Sequence, residues 1–295
     1  MRIKKTEITD TFAEAFGMWG ARVVITADTK QWARAAAASM TGFATSVIRC
    51  KLEAAVECEV PPEATPDRRP GVSVLLFTMS SKTIAGQLID RIGQCVMTCP
   101  TTAAYNGLES EKTVSVGGKL RFFGDGYQIS KLIDGRRMWR IPIMEGEFLV
   151  EESFGIRPAV GGGNLILLGT SQRIALRAAT AATNAMREVA GVFLPFPQGV
   201  VGSGSKVGSR YKSMIASTND RYCPTLRSIA DQKTLPANVA AGYEIVVDGL
   251  NEYVVKEAMR RGIHAAADKG TLIVTAGNYG GELGKYKFYL HDILN

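Results

Sequence analysis

The order of the predicted elements constrains this chain most, because strand, helix, strand, strand, helix and strand follow one another twice along its 295 residues. The two halves share this order but no residue-level repeat. It is the order of a split β-α-β unit, the ferredoxin-like arrangement. We therefore predict an α+β fold of two ferredoxin-like lobes in one chain, with an N-terminal α/β lobe at residues 1–150 and a C-terminal α/β lobe at residues 151–295.

The individual elements are predicted from apolar periodicity and from capping residues. Strands are predicted in the N-terminal half at residues 22–26, 45–48, 72–77 and 119–123, and in the C-terminal half at residues 164–168, 192–194, 243–247, 271–275 and 285–291. Helices are predicted at residues 30–40, from the N-cap Ser81 towards Pro100, at residues 171–189 and after the N-cap Asn251. The last helix carries two opposite-charge pairs at i,i+4 spacing, Glu252 with Lys256 and Glu257 with Arg261.

Composition narrows the classes of protein that remain. The chain is 46% hydrophobic, which excludes a disordered chain and supplies a large core. Its longest apolar runs have the length of strands, short of the roughly 18 residues of a membrane span. Residues 1–10 carry no apolar run after their charges, so we predict no secretory signal. The five cysteines are scattered and odd in number, as in a reducing compartment, and we expect a cytoplasmic protein.

The formal net charge of +7 has several interpretations. Lysine and arginine are dispersed, with pairs such as Arg136 and Arg137 in place of tracts, which disfavours nucleic-acid binding. The charge is either a solvated basic surface or an attraction for an acidic small substrate or partner. A nucleic-acid-binding protein would instead present one contiguous basic face.

The local motifs of nucleotide and metal sites are incomplete. The stretch GVVGSGSK at residues 199–206 lacks the lysine that directly follows the last glycine of a phosphate loop. The two histidines, His264 and His291, are far apart in the sequence. Cys95 and Cys99 have no second pair that would complete a zinc set. We therefore predict no metal site and no bound nucleotide.

A long segment at residues 195–224 has almost no helix or strand character. Loops of this length inside a compact domain are usually functional or disordered. Its glycines allow backbone N–H groups to approach a ligand, and its polar side chains could orient that ligand, whereas a mobile surface loop is the alternative. The polar side chains that could orient a ligand in this loop are Ser203, Ser205, Lys206, Ser209, Asn219, Asp220 and Tyr222.

Glu244 is a carboxylate inside a predicted strand, where carboxylates are depleted. It shares one face of that strand with Val246. If Val246 packs, Glu244 lies towards a partly dry cleft, and desolvation raises its pKa towards neutrality. A carboxyl group with such a pKa suits proton transfer. The alternatives are an exposed edge strand and a pair with one of the arginines.

Five further parts of the sequence are specific and follow one another nearly end to end. They are DTFAEAF at residues 10–16, DRIGQCVMT at 90–98, FFGDGY at 122–127, SKVGS at 205–209 with STND at 217–220 and YCP at 222–224, and AGN at 276–278 through LHD at 290–292. Together they resemble the formylmethanofuran:tetrahydromethanopterin formyltransferase family.

The resemblance implies an enzyme of one-carbon metabolism that moves a formyl group between the amine of methanofuran and N5 of tetrahydromethanopterin or its dephospho form. It implies that both coenzymes are substrates and that no metal or tightly bound cofactor takes part. Members of the family have two related α/β lobes and form homotetramers with active sites in clefts between subunits. In methylotrophic bacteria the similar protein is a subunit of a formyltransferase/hydrolase complex, and the charge of +7 favours that setting over the acidic archaeal one.

Site residues follow from the same resemblance. Glu244 corresponds to the family's glutamate near the reacting centre, and we predict that it relays protons without a covalent enzyme intermediate. The predicted substrate-binding residues are Gln94, Cys95, Ser205, Lys206, Asn219, Asp220, Tyr222 and Asn278. The rival hypothesis is a non-catalytic assembly subunit of the formyltransferase/hydrolase complex.

Overall fold

The structure, a computed structural model, describes residues 1–229 and 235–295, which divide into two compact units. The N-terminal unit is Met18–Ala159, and the C-terminal unit combines Met1–Gly17 with Val160–Asn295. The predicted lobes differ from these units by residues 1–17 and 151–159. Residues at the start of the chain belong with the C-terminal unit because the strand Thr6–Ile8 pairs in parallel with Ile273–Thr275.

The N-terminal unit contains the predicted ferredoxin-like sheet. Its antiparallel strand order is Glu53–Val60, Gly71–Thr78, the second part of Phe12–Thr26, and Ala103–Asn106. The two helices that follow the first and third strands along the chain are Lys30–Thr41 and Ser81–Arg91. The first of these buries alanines at positions 33, 36 and 37, and it begins at the N-cap Thr29.

Additional elements extend this unit. An antiparallel meander is formed by Ile129–Ile133, Arg136–Ile143 and Gly146–Glu151, and its last strand runs parallel to Ala103–Asn106. The shorter elements are the helices Val47–Cys50 and Gly117–Leu120, the π-helical turn Ile92–Val96, the 3-10 turns Pro62–Ala64 and Arg121–Gly124, and the paired strands Thr113–Ser115 and Ser153–Gly155.

The predicted strand at residues 45–48 is wrong. These residues lead into the helix Val47–Cys50, whose N-cap Ser46 accepts a hydrogen bond from the Ile48 N–H at 3.4 Å. The second strand of the unit is Glu53–Val60, in which charged residues at 53, 57 and 59 conceal the apolar alternation. Side-chain capping therefore outweighs the β propensity of the apolar residues at 47 and 48.

The predicted strand at residues 119–123 is also wrong. This segment forms the end of the helix Gly117–Leu120 and the 3-10 turn Arg121–Gly124. The Arg121 guanidinium lies over the rings of Phe122 and Trp139, at 4.8 and 4.5 Å from their centroids. Stacking of one cation on two rings favours the tight turn over an extended strand.

The C-terminal unit repeats the ferredoxin-like order, which confirms the predicted α+β fold class. Its antiparallel strand order is Ile273–Thr275, Arg157–Gly169, Ala241–Gly249 and Val192–Phe193. Its two long helices are Gln172–Arg187 and Glu252–Ala267. Its shorter elements are the strands Arg2–Ile3, Lys206–Val207, Ala216–Ser217 and Tyr286–Tyr289, the 3-10 turns Pro197–Gly199, Asp220–Tyr222 and Pro224–Leu226, and the final helix Leu290–Leu294.

The two long helices of this unit begin at side-chain caps, of which Asn251 was the predicted one. Ser171 accepts a hydrogen bond from the Ile174 N–H, and Asn251 accepts one from the Val254 N–H. Both predicted i,i+4 ion pairs form, at 3.0 and 2.7 Å. The helices approach closely because position 262 is a glycine, where a Cβ would lie 2.3 Å from Cε of Met186.

Within the part of the chain that the structure describes, no helix combines the length and the apolar character that crossing a membrane requires.

Candidate active site

Glu244 lies at the wall of a cavity within the C-terminal unit. Its strand alternates, so that Ile245 and Val247 enter the apolar core while Glu244 points to the opposite face. The cavity on that side has a volume of about 570 Å³, the size of a site for a small organic molecule. Strand alternation therefore places Glu244 in the wall of a cavity and directs Ile245 and Val247 into the apolar core.

The backbone of Glu244 is paired on both sides. It lies opposite Ile166 of one neighbouring strand. On the other side, the Val201 N–H donates to the Glu244 carbonyl at 2.8 Å, and the Glu244 N–H donates to the Val201 carbonyl at 3.1 Å. Glu244 is thus in the interior of a sheet, which excludes the exposed edge strand as an explanation for its presence.

Burial dominates the electrostatics of this carboxyl group. Desolvation raises the pKa of Glu244, and a hydrogen bond from the Ser205 backbone lowers it, with a net pKa of about 7. A single N–H donor does not compensate for the loss of water around the charged form. The group is therefore close to half ionised at neutral pH and can both accept and release a proton.

The predicted binding loop wraps around this carboxylate. Its strands Lys206–Val207 and Ala216–Ser217 pair as a short hairpin. Lys206 binds Asp220 through an ion pair of 2.6 Å, which lowers the pKa of that carboxyl group. Gly204 has a φ of +57°, and a Cβ there would lie 3.9 Å from Oε2 of Glu244. The loop thus combines a close backbone approach with fixed polar side chains.

Most of the predicted site residues come together around the 570 Å³ cavity. Its lining includes Ser205, Lys206, Asn219, Asp220, Tyr222, Glu244 and Asn278. The sequence had placed these residues in three separate segments of the chain. The structure gives them one common location, and their assignment to substrate binding remains a prediction.

Glu244 also faces a second cavity of about 470 Å³ within the same unit. Gly202, Ser203 and Cys223 are among the residues that line it. Asn219, Tyr222 and Glu244 line both cavities. Glu244 consequently borders two neighbouring cavities.

Residues 276–279 form another part of the wall of the 570 Å³ cavity. The Asn278 amide donates to Oγ1 of Thr11 and to the Phe12 carbonyl, both at 3.1 Å. Asn164 accepts from the Gly277 N–H at 2.6 Å and donates to the Gly277 carbonyl at 3.0 Å. Asn164 therefore holds the backbone of this segment, and Asn278 links the segment to residues 11 and 12, although both residues also line the cavity.

Sequence reasoning missed Asn164, Tyr279 and Glu14. Asn164 and Tyr279 line the cavity, and Glu14 binds the segment that carries Tyr279. Glu14 did carry a usable signal, because it lies between two alanines in a strand, where a carboxylate is as unusual as at Glu244. Asn164 and Tyr279 carried none that separates them from other polar residues in the sequence.

Gln94 and Cys95 lie in the N-terminal unit, in the π-helical turn Ile92–Val96. Gln94 is exposed and lines a largely apolar cavity of about 740 Å³ together with Met97 and Phe123. Cys95 is half-buried against the core of that unit. Neither residue lines the cavity of Glu244, and their part in substrate binding stays a prediction.

The described residues contain no group of three or more histidine, cysteine, aspartate or glutamate side chains arranged to hold a metal ion. All five cysteines are free thiols.

The fold and the site define a class: an α+β protein with two ferredoxin-like units and a polar, ligand-sized cavity around a carboxyl group that titrates near pH 7. Comparison with known proteins identifies the family. The model of the formylmethanofuran-tetrahydromethanopterin formyltransferase family matches residues 1–143, and the model of the proximal lobe of the same family matches residues 146–293. The chain belongs to this family of formyltransferases.

Individual relatives align with this chain over their full length. The protein named formylmethanofuran--tetrahydromethanopterin formyltransferase from Methylobacillus flagellatus is 54% identical over 302 residues, with 100% of both chains covered. The protein of the same name from Methanopyrus kandleri is 51% identical, covering 99% of this chain and 100% of its own. The family therefore includes relatives of similar identity from bacteria and from archaea.

Two solved structures superpose closely on this chain. The formyltransferase from Methanosarcina barkeri has a TM-score of 0.95 at 50% identity, with 99% of this chain and 100% of that chain covered. A chain of the formyltransferase/hydrolase complex FhcABCD from Methylorubrum extorquens, solved with methylofuran, has a TM-score of 0.96 at 46% identity, with 100% and 99% covered.

Proposed function

We propose that this chain transfers a formyl group between the amine of methanofuran and N5 of tetrahydromethanopterin, with Glu244 as the proton relay. The printed names of the relatives support the two coenzymes as substrates. The observation that supports the relay is the position of Glu244, a carboxyl group with a pKa of about 7 on the wall of two adjoining cavities.

The proposed chemistry needs no enzyme nucleophile. The attacking nitrogen adds to the formyl carbon, the carbonyl oxygen becomes an oxyanion, and the bond from that carbon to the leaving nitrogen then breaks. The attacking nitrogen loses one proton and the leaving nitrogen gains one, so the transfer is balanced. Ionised Glu244 accepts the first proton and, once protonated, supplies the second.

Glu244 is suited to both halves of this exchange because its pKa lies near neutrality. A carboxyl group with an ordinary pKa would be a weak base at pH 7 and would be almost entirely ionised. Holding the two coenzymes in neighbouring spaces adds the advantage of proximity, which converts a bimolecular encounter into a step within one complex.

The test is an assay of the purified chain with formyl-tetrahydromethanopterin and methanofuran. Glu244→Gln keeps the size and hydrogen-bonding shape of the side chain but cannot carry the proton. We expect turnover to fall by about a hundredfold or more, while the circular dichroism spectrum stays that of the wild type. Near-normal turnover in this variant would refute the relay.

The same assay separates catalysis from the rival function, a non-catalytic assembly subunit. A complex that keeps its formyl-transfer activity when this chain carries Glu244→Gln supports the rival.

The assembly itself is proposed from the similar chain in the FhcABCD complex. We infer that this chain likewise works as part of a formyltransferase/hydrolase complex, and native mass spectrometry of the protein from its source tests this. A homotetramer without companion subunits would contradict it.

A further inference from the structure

Glu14 is a buried carboxylate that holds a backbone segment of the C-terminal unit. It is 1% exposed. Its Oε2 accepts the N–H groups of Tyr279 at 2.7 Å and Gly281 at 3.0 Å. Its Oε1 accepts those of Leu283 at 2.6 Å and Gly284 at 2.5 Å. Four backbone donors from one short segment thus converge on a single side chain.

This arrangement requires the ionised form of Glu14. Burial raises its pKa, but the four N–H donors outweigh burial, and the pKa lies below the ordinary value. A carboxylate offers acceptors only, whereas a protonated carboxyl group would direct an O–H at an N–H. Position 284 fits the contact because it is a glycine, where a Cβ would lie 2.6 Å from Cγ of Glu14 and from the Ala15 carbonyl.

The segment that Glu14 holds begins in the wall of the proposed active site. Residues 276–279 line the 570 Å³ cavity together with Glu244. The Tyr279 N–H, which Glu14 accepts, belongs to this wall. Burial and the charges of Glu244 and Glu14 raise the pKa of the Tyr279 phenol, so this hydroxyl stays protonated at neutral pH and can donate a hydrogen bond.

We propose that Glu14 is a positioning residue for the reaction at Glu244: its carboxylate fixes residues 279–284 and thereby sets Asn278 and Tyr279 in the cavity wall. This inference rests on the proposed function. Glu14 does not line the cavity, so it acts through the segment and not through contact with the substrate. Small displacements of positioning groups can cost a large factor in rate.

Glu14→Gln tests this role, because glutamine has the same length but one acceptor oxygen and an NH₂ group that opposes two of the four N–H donors. We expect hydrogen exchange in residues 279–284, measured by mass spectrometry, to accelerate at least about tenfold. We expect kcat/KM for formyl transfer to fall about ten- to a hundredfold, mainly through kcat. Exchange elsewhere in the chain should remain as in the wild type.

The matched control is Glu151→Gln, which makes the same replacement at a buried carboxylate of the N-terminal unit. Glu151 also accepts a backbone N–H, from Asn106 at 2.7 Å. We expect this variant to lose stability and to keep the wild-type kcat and KM per folded molecule. Loss of kcat in both variants to the same degree would show that any weakened core lowers activity, which would overturn the proposal.

Further outcomes also test the positioning role of Glu14. Wild-type kcat and KM in Glu14→Gln despite faster exchange would overturn the proposal, and so would a uniform rise in exchange with unchanged kcat per folded molecule. If Glu14→Gln does not fold, Glu14→Asp keeps the charge and shortens the reach by one methylene, and the same measurements on it decide. An inactive wild type would refute the proposed function, whereas the exchange experiment would still report whether Glu14 holds the segment.

Discussion

Two glutamates in each compact unit illustrate different ways of holding a carboxylate. In the N-terminal unit the two are paired with arginine: Arg22 binds both oxygens of Glu57, at 2.7 and 2.6 Å, and Arg136 binds both oxygens of Glu151. In the C-terminal unit, Glu14 is held by four backbone N–H groups, and Glu244 by burial and one backbone hydrogen bond. Two of these four glutamates thus have an arginine counter-charge, and the other two have backbone N–H groups as partners.

The number of donors decides which carboxylates can titrate near neutrality. Four N–H groups overcome burial at Glu14 and lower its pKa, whereas one does not at Glu244, where the pKa rises to about 7. A full set of backbone donors keeps a buried carboxylate in its charged form. Only a buried carboxylate with few donors remains able to exchange a proton under physiological conditions.

The largest expected effect is on the pH dependence of the reaction. If ionised Glu244 is the base, kcat/KM falls tenfold per pH unit below its pKa of about 7. At about pH 5 we expect roughly 1% of the plateau value. Glu14, whose pKa is lowered, stays ionised there, so it does not contribute to the fall. Initial rates at subsaturating substrate across this pH range measure the decrease in kcat/KM.

The control for this profile is Glu244→Gln, measured in the same buffers so that titration of the coenzymes themselves is common to both. The residual activity of the variant should not decrease as the pH falls below about 7. If wild type and variant show the same pH profile, the decrease comes from titration of a substrate. The difference in how these carboxylates are held would then have no effect on catalysis.

A second prediction concerns stability and addresses the N-terminal unit. Glu151→Gln leaves the buried part of Arg136 without its counter-charge. The side chain of Arg136 is 37% exposed, so the loss is smaller than for a fully buried pair. We expect the free energy of unfolding in urea to fall by about 2 kcal/mol while kcat is kept. A gain in stability would mean that the desolvation penalty of this ion pair exceeds its favourable electrostatic attraction.

The third prediction is that Glu244→Gln stabilises the protein at high pH. A raised pKa means that the folded state binds the proton more tightly than the unfolded state, so wild-type stability falls as pH rises from about 4.5 through about 7. The glutamine variant avoids this loss. Above about pH 8 we expect it to be more stable by about 1.5 kcal/mol, a figure reduced for the partial exposure of the group. Below about pH 4.5 the gain should vanish.

Urea unfolding at the two pH values checks this prediction. Glu14→Gln is the opposite case, because the lowered pKa of Glu14 stabilises the fold above the ordinary carboxyl pKa, and this contribution is lost as pH falls through the lowered value. The two variants should therefore shift stability in opposite directions at about pH 8. Equal shifts would show that donor number does not separate these sites.

How much of this contrast a sequence can reveal depends on the range of the interactions involved. The partly buried position of Glu244 was predictable from a short stretch of sequence, because a carboxylate within a strand is unusual. The two repeated folding units were predictable from apolar periodicity and caps. Glu14 was not assigned a role, since its four donors are backbone groups more than 260 residues further along the chain, and backbone N–H groups leave no mark in a sequence.

The errors in the fold have a similar cause. Apolar residues at 47 and 48 favour a strand, but the Ser46 cap and the register of the following strand place a helical turn there. At residues 119–123, the contact that decides the turn comes from Trp139, which lies on a later strand. Local propensity was therefore overridden at the positions where a side chain finds a partner that periodicity does not show.

The smallest expected effect concerns charge around the cavity of Glu244. Lys206 lines that cavity, whereas Lys30 lies on a helix of the N-terminal unit near Glu59. If the net charge of +7 steers an anionic coenzyme, the KM for methanofuran rises about threefold between about 50 and about 250 mM salt. Lys206→Met should reduce this dependence, and Lys30→Met should not. Because exposed ion pairs contribute less than about 1 kcal/mol, neither change should alter unfolding appreciably. Equal salt dependence in both variants would mean that the net charge is spread over the solvated surface and does not attract the substrate to the Glu244 cavity in particular.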